Sequence, residues 1–237
     1  LQFAGSSSHH SGKFKNPYTF SKDVSEEIVQ LCQEIYGLKA TITRFYNVYG
    51  PHHLKEGGYC TVIGKWERAV ETGNPITIFG DGTKRRDFTH IDDIVDALLL
   101  IEQKEAWGHL FELGRGTNFS IKEVADMFVY DKLAYEADKP GEALVTLCDS
   151  TEARNILGWE PKKQFDKELE YIVNYYKNKL NFKSVIIKSI TVNRFLFPHI
   201  RLLIIEGEIK TYFAIILNSI KNIYFFINHS SNMSLKN

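Results

Sequence analysis

Apolar residues along the first three quarters of the chain alternate between two spacings. From Val24 to Ile35 they repeat at the three-to-four-residue spacing of one helix face, and Gly37 follows as a stop. Residues 40–46 then alternate as a strand does. Further helices are predicted near residues 62–70 and 92–102, from residue 120, and near residues 150–158 and 169–176, with strands at 76–79 and 110–113. Strands separated by helices predict an α/β fold.

Bulk composition narrows the possible partners. The chain has 29 basic and 29 acidic side chains, so no net charge attracts nucleic acid or an anionic membrane.

Three cysteines without a Cys-x-x-Cys pair argue against a disulfide framework and suit a reducing cytoplasm. The histidine pairs His9-His10 and His52-His53 lack spaced ligand partners, so we expect solvated loops and no metal site. The best apolar run, residues 211–220, is too short to span a membrane.

The composition changes after about residue 181. Ile, Asn, Lys, Phe and Ser dominate there, with few turn signals and no clean periodicity. Residues 181–237 are therefore an extension of unknown structure, for which a family-specific appendage and sequence read past a natural end are both open. The predicted functional domain is residues 1–180, and no site residue is assigned to the extension.

The first pattern that carries chemistry is Tyr18-x-x-x-Lys22. Residues four apart on a helix lie about 40° apart on one face. A tyrosine hydroxyl titrates near pH ~10, so it acts as a base near neutrality only where a cation lowers its pKa. Lys22 is spaced to supply that cation. The alternative is an ordinary surface pair, which this spacing often produces, so the neighbouring sequence must decide.

A serine run precedes this pair. Residues 6–8 are serines that end an apolar stretch, and Asn16-Pro17 stands directly before Tyr18. A strand ending in serines, a short loop and Pro-Tyr-x-x-x-Lys resemble the catalytic core of extended short-chain dehydrogenases. The resemblance implies a serine that hydrogen-bonds the sugar hydroxyl beside the tyrosine base. Ser6 matches that position best and Ser7 follows closely, whereas a solvated turn is the alternative.

The stretch Arg-Phe-Tyr-Asn-Val-Tyr-Gly-Pro at residues 44–51 ends the predicted strand 40–46. Open α/β sheets bind ligands at the carboxyl ends of their strands. The stretch is similar to the family's Arg-x-x-Asn-x-x-Gly-Pro, which implies that the backbone at Tyr46 lies along the nicotinamide and that Asn47 contacts the sugar-nucleotide phosphate. Taken alone, Asn47 would be assigned to a turn.

The most specific pattern is Gly-Asp-Gly-x-x-x-Arg-Asp-Phe at residues 80–88. A glycine turn releases the chain, and the arginine after it can make paired, charge-assisted hydrogen bonds to a diphosphate. The family pattern assigns this role to Arg86, while Arg85 is either a solvated neighbour or a second phosphate contact. Asp92 or Asp93 is predicted to cap the next helix.

Two stretches nearer the end of the predicted domain extend the resemblance. Lys-Pro-Gly-Glu at residues 139–142 is similar to the family's Arg-Pro-Gly-Glu, so Lys139 inherits a diphosphate contact that lacks the forked geometry of arginine. Leu-Gly-Trp-x-Pro at residues 157–161 matches a closing packing element and carries no chemistry. Trp159 is therefore predicted to lie in the core.

Together these patterns make residues 1–180 similar to the second half of a nucleotide-sugar epimerase of the extended short-chain dehydrogenase family. The resemblance implies part of a Rossmann-type doubly wound parallel sheet with a smaller α/β substrate-binding lobe. It also implies NAD as the cofactor, a nucleotide-sugar substrate and a homodimer paired through residues 23–36. A Gly-x-x-Gly-x-x-Gly turn for the dinucleotide is absent, so we expect a fragment lacking half of its cofactor site.

Members of the family diverge after hydride leaves the sugar. The dehydratases and decarboxylating members place an Asp or Glu just after the catalytic Ser or Thr, where this chain has Ser-Ser-His-His at residues 7–10. Without that carboxylate the predicted reaction is UDP-sugar 4-epimerisation through a 4-keto intermediate. A dehydratase or reductase of the same family, or a noncatalytic binding protein, is the alternative.

Overall fold

The computed structural model describes residues 1–179, and the helix-strand alternation predicted for them is confirmed. In chain order the strands are β1 (Gln2–Ser6), β2 (Thr41–Phe45), β3 (Val48–Tyr49), β4 (Ile76–Phe79), β5 (Arg85–Asp87), β6 (Thr89–His90), β7 (Leu110–Leu113), β8 (Asn118–Ser120) and β9 (Leu133–Glu136). The helices are α1 (Pro17–Tyr36), α2 (Val62–Thr72), α3 (Ile91–Gln103), α4 (Ile121–Met127) and α5 (residues 165–179). Single turns over Ser7–Ser11 and Ala153–Leu157 have 3-10 and π geometry.

The central sheet is parallel, with the strand order β1-β2-β7. Phe3 pairs with Ile42, and Ile42 pairs with Leu110. Helix α1 crosses from β1 to β2, since parallel strands cannot be joined by a tight turn. The carboxyl ends of all three strands therefore meet at one edge, which is the edge where the serine run and the Tyr46-Asn47 stretch begin.

The other strands form three short pairs. β3 with β6 and β4 with β9 are parallel, and β5 with β8 is antiparallel. Apart from β4, these strands were not predicted, because segments of two to four residues contain too few repeats to show a period. One of them, β5, carries the arginine of the predicted diphosphate pattern.

Two apolar clusters hold these elements together. One joins α2, β4, α4 and α5 through Trp66, Ile76, Val124, Phe165 and Leu169. The other joins α3, β7 and the closing turn through Ile94, Phe111, Leu157 and Trp159. Trp159 is only 2% exposed, which confirms its predicted place in the core, and its ring N–H donates to the Asp93 carbonyl at 2.9 Å.

Side chains at the helix starts account for where α1 and α3 begin. The Asn16 side chain accepts the Thr19 N–H at 2.9 Å, and Pro17 occupies the first helical position. For α3 the predicted cap is wrong: the His90 ring accepts the Asp92 N–H. The buried Asp93 carboxylate is instead an acceptor for two backbone N–H groups at residues 162–163.

Helix α1 has an unusual distribution of polar and apolar residues. Its apolar stripe is exposed, with Ile28, Leu31 and Ile35 each more than half accessible. The buried side carries Glu26, which accepts three hydrogen bonds of 2.6–3.1 Å from the Arg44 guanidinium on β2. The apolar spacing predicted the helix correctly, but within residues 1–179 the stripe is not covered.

Within residues 1–179, no helix is long and apolar enough to cross a membrane. The predicted extension, residues 181–237, lies outside the described residues, and so does the apolar run at 211–220.

Candidate active site

The serine run forms the 3-10 turn at the carboxyl end of β1. The Ser6 hydroxyl oxygen accepts the Ser8 N–H at 3.2 Å and so caps this turn. The Ser8 hydroxyl is buried and has no hydrogen-bond partner within the described residues. A buried hydroxyl without a partner is costly unless a ligand satisfies it. Ser8 is therefore a candidate that sequence reasoning missed, although it belongs to the same run as Ser6 and Ser7.

Tyr18 and Lys22 lie in the first two turns of α1. Tyr18 is 52% exposed, and its only hydrogen bond within residues 1–179 is made by its main-chain carbonyl. The Lys22 ammonium donates to the Ala4 carbonyl on β1 at 2.8 Å and lies 5.6 Å from the centre of the Phe3 ring. An ammonium has three donors, so two of those on Lys22 are left for a ligand. In the predicted pair, Lys22 is thus held by a hydrogen bond to β1, whereas the Tyr18 side chain is half exposed.

Tyr46 and Asn47 follow β2. Tyr46 is 2% exposed, and burial raises the pKa of its hydroxyl, with the Glu112 carboxylate raising it further. The Asn47 side-chain oxygen accepts the Thr146 hydroxyl at 3.4 Å. Tyr46 and Ser7 line one small cavity of about 100 Å³. The sites predicted after β1 and after β2 are therefore brought together in the fold.

Arg86 lies on β5 with its side chain only 11% exposed. Burial lowers the pKa of its guanidinium, while Glu142 and Asp138 oppose that shift. One terminal nitrogen donates to the Arg85 carbonyl at 2.9 Å, and the other contacts the Glu142 carboxylate at 3.4 Å. Arg86, the residue predicted to bind the diphosphate, therefore already faces a carboxylate of the protein itself.

Lys84 is a second cation in this region, and sequence reasoning did not single it out. It is 7% exposed, pairs with Asp138, and reaches the same Glu142 oxygen as Arg86 at 3.3 Å. No sequence signal marks Lys84, because a lysine two residues before the arginine of the Gly-Asp-Gly-x-x-x-Arg-Asp-Phe pattern is expected to be a solvated surface charge. Arg85, in contrast, is held by Asn118 and Glu123.

The Lys139 ammonium contacts an aromatic ring and not a carboxylate. Its ammonium lies 3.7 Å from the centre of the Phe79 ring, which is a cation–π contact at the end of β4. A ring face attracts the ammonium but does not neutralise its charge, so Lys139 can still bind a ligand anion.

Residues 138–148, here called the bridging segment, link the two parts of the site. Its Gly141 carbonyl accepts the Asn16 side-chain amide at 3.1 Å. Its Thr146 hydroxyl reaches Asn47, and its Glu142 reaches Arg86. Through its adjacent residues 141 and 142 the segment therefore contacts both Asn16, two residues before Tyr18, and Arg86.

Asp87 anchors the far end of the bridging segment. It is fully buried, and its carboxylate accepts the N–H groups of Arg115, Gly116 and Cys148 at 2.8–3.0 Å. Burial raises the pKa of the Asp87 carboxyl, and these N–H groups oppose that rise. The aspartate of the Arg-Asp-Phe pattern is thus a structural acceptor next to Arg86, the predicted diphosphate ligand.

The prediction that the histidine pairs lie in solvated loops is wrong for His53, whereas His10 and His52 are exposed and His9 is partly exposed. His9 pairs with Asp23 at 2.9 Å, His10 pairs with Glu112 at 2.9 Å, and the half-buried His53 pairs with Glu67 at 3.0 Å.

His9, Asp23 and Glu26 also offer oxygen and nitrogen atoms within 4.8 Å of one another. The Arg44 guanidinium already neutralises Glu26, however, and its charge opposes a metal cation at the same carboxylate.

Comparisons with known proteins agree with this geometry. Residues 4–114 match the model of the NAD dependent epimerase/dehydratase family. A UDP-glucuronate 4-epimerase from Thermodesulfobacterium geofontis is 31% identical over 183 residues, which are 75% of this chain and 54% of that protein. A dTDP-D-glucose 4,6-dehydratase from Mus musculus is 30% identical over 71% of this chain and 50% of its own length. The chain thus spans about half the length of these curated relatives.

The fold agrees as well. The crystal structure of UDP-glucose 4-epimerase from Thermotoga maritima, determined with UDP-glucose, superposes with a TM-score of 0.66 at 28% identity, covering 76% of this chain and 63% of that one. Its likeness confirms the predicted Rossmann-type α/β class. The protein studied here belongs to the NAD-dependent epimerase/dehydratase family.

Proposed function

We propose that this chain carries the proton-transfer and nucleotide-sugar-binding part of an NAD-dependent UDP-sugar 4-epimerase. One observation supports this most directly. The Lys22 ammonium is anchored on the Ala4 carbonyl of β1, Tyr18 lies one helical turn before it with its side chain half exposed, and the Ser8 hydroxyl just after β1 has no partner among residues 1–179. The relatives named as UDP-sugar 4-epimerases support the same reaction class.

The residues divide the chemistry between them. Lys22 stabilises the phenolate form of Tyr18, and this phenolate removes the proton of a sugar hydroxyl and becomes the neutral phenol. A serine hydroxyl holds the sugar oxygen; Ser6 and Ser7 are the sequence candidates, and the buried hydroxyl of Ser8 is the structural one. NAD bound beside these residues would supply the acceptor for the hydride that leaves the sugar. Return of hydride to the other face of the ketone inverts the carbon.

The residues present fit the nicotinamide end of NAD. Lys22 has two unused donors for ribose hydroxyls, Tyr18 stands beside it, and the Tyr46 backbone follows β2 on the same edge. The 237 residues contain no Gly-x-x-Gly-x-x-Gly turn for the pyrophosphate. A chain that binds nucleotide sugar without turnover is the second candidate function.

The nucleotide diphosphate is assigned to the other end of the bridging segment. Arg86 supplies a planar donor fork, Lys139 a point charge, and Asn47 an amide near the end of β2. In this arrangement the bridging segment spans from nucleotide to sugar.

A homodimer is the proposed assembly. The exposed α1 stripe of Ile28, Leu31 and Ile35 is the kind of apolar surface that a second copy of the same helix covers. Light scattering should give twice the chain mass, and Leu31→Glu should halve it while leaving the circular dichroism spectrum unchanged. A monomeric wild-type chain would contradict this assembly. The predicted cytoplasmic location stays a prediction.

The test is calorimetric titration of the purified chain with NAD and then with UDP-glucose, followed by an epimerase assay with Tyr18→Phe as the control. Binding of both ligands and turnover that disappears in Tyr18→Phe would support the epimerase. Binding of UDP-glucose without NAD binding or turnover would favour the noncatalytic candidate. A folded chain that binds neither ligand would reject both.

A further inference from the structure

One side-chain contact joins helix α1 to the 3-10 turn after β1. The Asp23 carboxylate on α1 is 2.9 Å from Nδ1 of His9, the residue directly after Ser8 in the turn. Within residues 1–179, no other side-chain hydrogen bond connects Ser7–Ser11 with α1. Because Asp23 directly follows Lys22, the contact links the helix of the predicted redox pair to the turn that carries the serine hydroxyls.

The environment of Asp23 constrains both partners of this contact. The Asp23 side chain is 5% exposed, and His9 is its only hydrogen-bond partner among the described residues. A carboxylate only accepts hydrogen bonds, so Nδ1 of His9 is the donor. A buried carboxylate without a partner costs free energy, so displacement of His9 from Asp23 is unfavourable. The turn is thereby held at a fixed distance from α1.

The other polar contacts of the inward face of α1 attach the helix to the sheet and not to the turn. Lys22 donates to the Ala4 carbonyl on β1, and Glu26 accepts hydrogen bonds from Arg44 on β2. These contacts fix the helix whether or not the turn is held. Loss of the Asp23 carboxylate should therefore release the turn and leave the helix in place.

We propose that Asp23 is a positioning residue, which acts through His9 and sets the distance between the serine hydroxyls of the turn and Tyr18. This inference rests on the proposed function, in which a serine hydroxyl and the Tyr18 hydroxyl meet the same sugar oxygen. Both groups must reach that oxygen at hydrogen-bond distance, so a shift of the turn by about 1 Å breaks the arrangement. The sugar 4-hydroxyl then contributes to affinity only while Asp23 holds the turn.

Calorimetric titration of the full chain with UDP-glucose and with UDP-4-deoxyglucose tests this, because the two ligands differ only in the 4-hydroxyl. The wild-type chain should bind UDP-glucose about 3- to 10-fold more tightly, as expected of one hydrogen bond. Asp23→Ala should lower this ratio to about 1, with UDP affinity within about twofold of wild type because the diphosphate end is separate. Asp23→Asn should keep the ratio, since its amide oxygen still accepts the His9 N–H.

Two further variants separate positioning from a general loosening of the structure. Glu27→Ala removes a 2.6 Å ion pair between the same helix and Lys13, which follows the turn, and it should keep the wild-type ratio. His9→Ala removes the proposed contact from the other side and should lower the ratio as Asp23→Ala does. The His9 side chain is 41% exposed, so this variant should fold and decides the matter if Asp23→Ala does not fold. Circular dichroism checks folding.

A wild-type ratio in His9→Ala or in folded Asp23→Ala, or an equal loss in Glu27→Ala, would overturn the positioning role and leave the proposed function standing. An equal loss in Asp23→Asn would also overturn it, because that variant keeps the hydrogen bond. So would a wild-type chain that binds UDP-glucose and UDP-4-deoxyglucose equally. A folded wild-type chain that binds neither UDP-sugar would reject the proposed function and this inference together.

Discussion

The two ends of the candidate site differ in how far their charges are already satisfied. At the sugar end the Tyr18 side chain is half exposed, and the Ser8 hydroxyl is buried without a partner in the described residues. At the diphosphate end Arg86 and Lys84 are largely buried, and both face the Glu142 carboxylate. The sugar end is open to a ligand, whereas the diphosphate end is closed by the protein's own counter-ion.

This difference implies different energetics of binding. A sugar hydroxyl meets donors and acceptors that have no other partner, so its hydrogen bonds are gained without displacing any. A diphosphate must compete with Glu142, so its attraction to the cations is reduced by the ion pairs that it breaks. Substitutions at the sugar end should therefore change turnover. Substitutions at the diphosphate end should change UDP affinity, which falls when a cation is removed and rises when the competing carboxylate is removed.

The largest effect is expected for Tyr18→Phe. Loss of the general base should lower epimerase turnover of the NAD-loaded protein by about 10²- to 10⁴-fold. Unfolding in urea should be unchanged, because the lost hydroxyl bonds to no described residue. Tyr36→Phe, the same change at an exposed site on the same helix, should retain activity. If both variants lost turnover equally, Tyr18 would have no special role in the reaction, and the contrast between the two ends of the site would fail.

Asp87→Ala should give the largest loss of stability. Three N–H groups lose their acceptor, of which the Cys148 N–H is buried and the other two are partly buried. An unsatisfied buried group costs ~1–3 kcal/mol and a partly buried one less, so the free energy of unfolding should fall by about 2–4 kcal/mol. Urea denaturation measures it, with the exposed Asp131→Ala as control. A loss below about 1 kcal/mol would mean that the bridging segment is held by its other contacts.

Arg86→Ala should weaken UDP binding by about 10- to 100-fold, since a charge-assisted contact contributes ~1.5–3 kcal/mol. Arg86→Lys should recover only part of this, because lysine lacks the planar fork. Calorimetric titration gives both values, and the exposed Arg154→Ala serves as control. Unchanged affinity in Arg86→Ala would show that the diphosphate lies elsewhere.

The smallest effect has the opposite sign. Glu142→Gln should tighten UDP binding by about 2- to 5-fold, because exposed ion pairs are worth ~0.2–1 kcal/mol and the competing carboxylate is gone. Glu136→Gln removes the same charge from an exposed position nearby and should change affinity less. Weaker binding in Glu142→Gln would mean that Glu142 orders the site and does not compete for it.

Much of the fold was predictable because its signals are local. The capping box at Ser120 and Glu123 and the stop at Gly37 mark helix ends through contacts a few residues apart. The α3 cap was missed because His90 is a rarer capping residue than the two aspartates beside it. Lys84 was missed because its partner Glu142 is 58 residues away in sequence.

By itself the sequence determined the α/β class and the positions of the main helices and strands, and it predicted a tyrosine-lysine redox pair and an arginine diphosphate ligand. Local spacing and short patterns encode these. Only the tertiary structure decided that Ser6 caps a turn while the Ser8 hydroxyl is left without a partner. It also decided that α1 turns Glu26 inward to Arg44 and Ile28 outward. The physical reason is that burial and pairing depend on neighbours from distant parts of the chain, which no local period records.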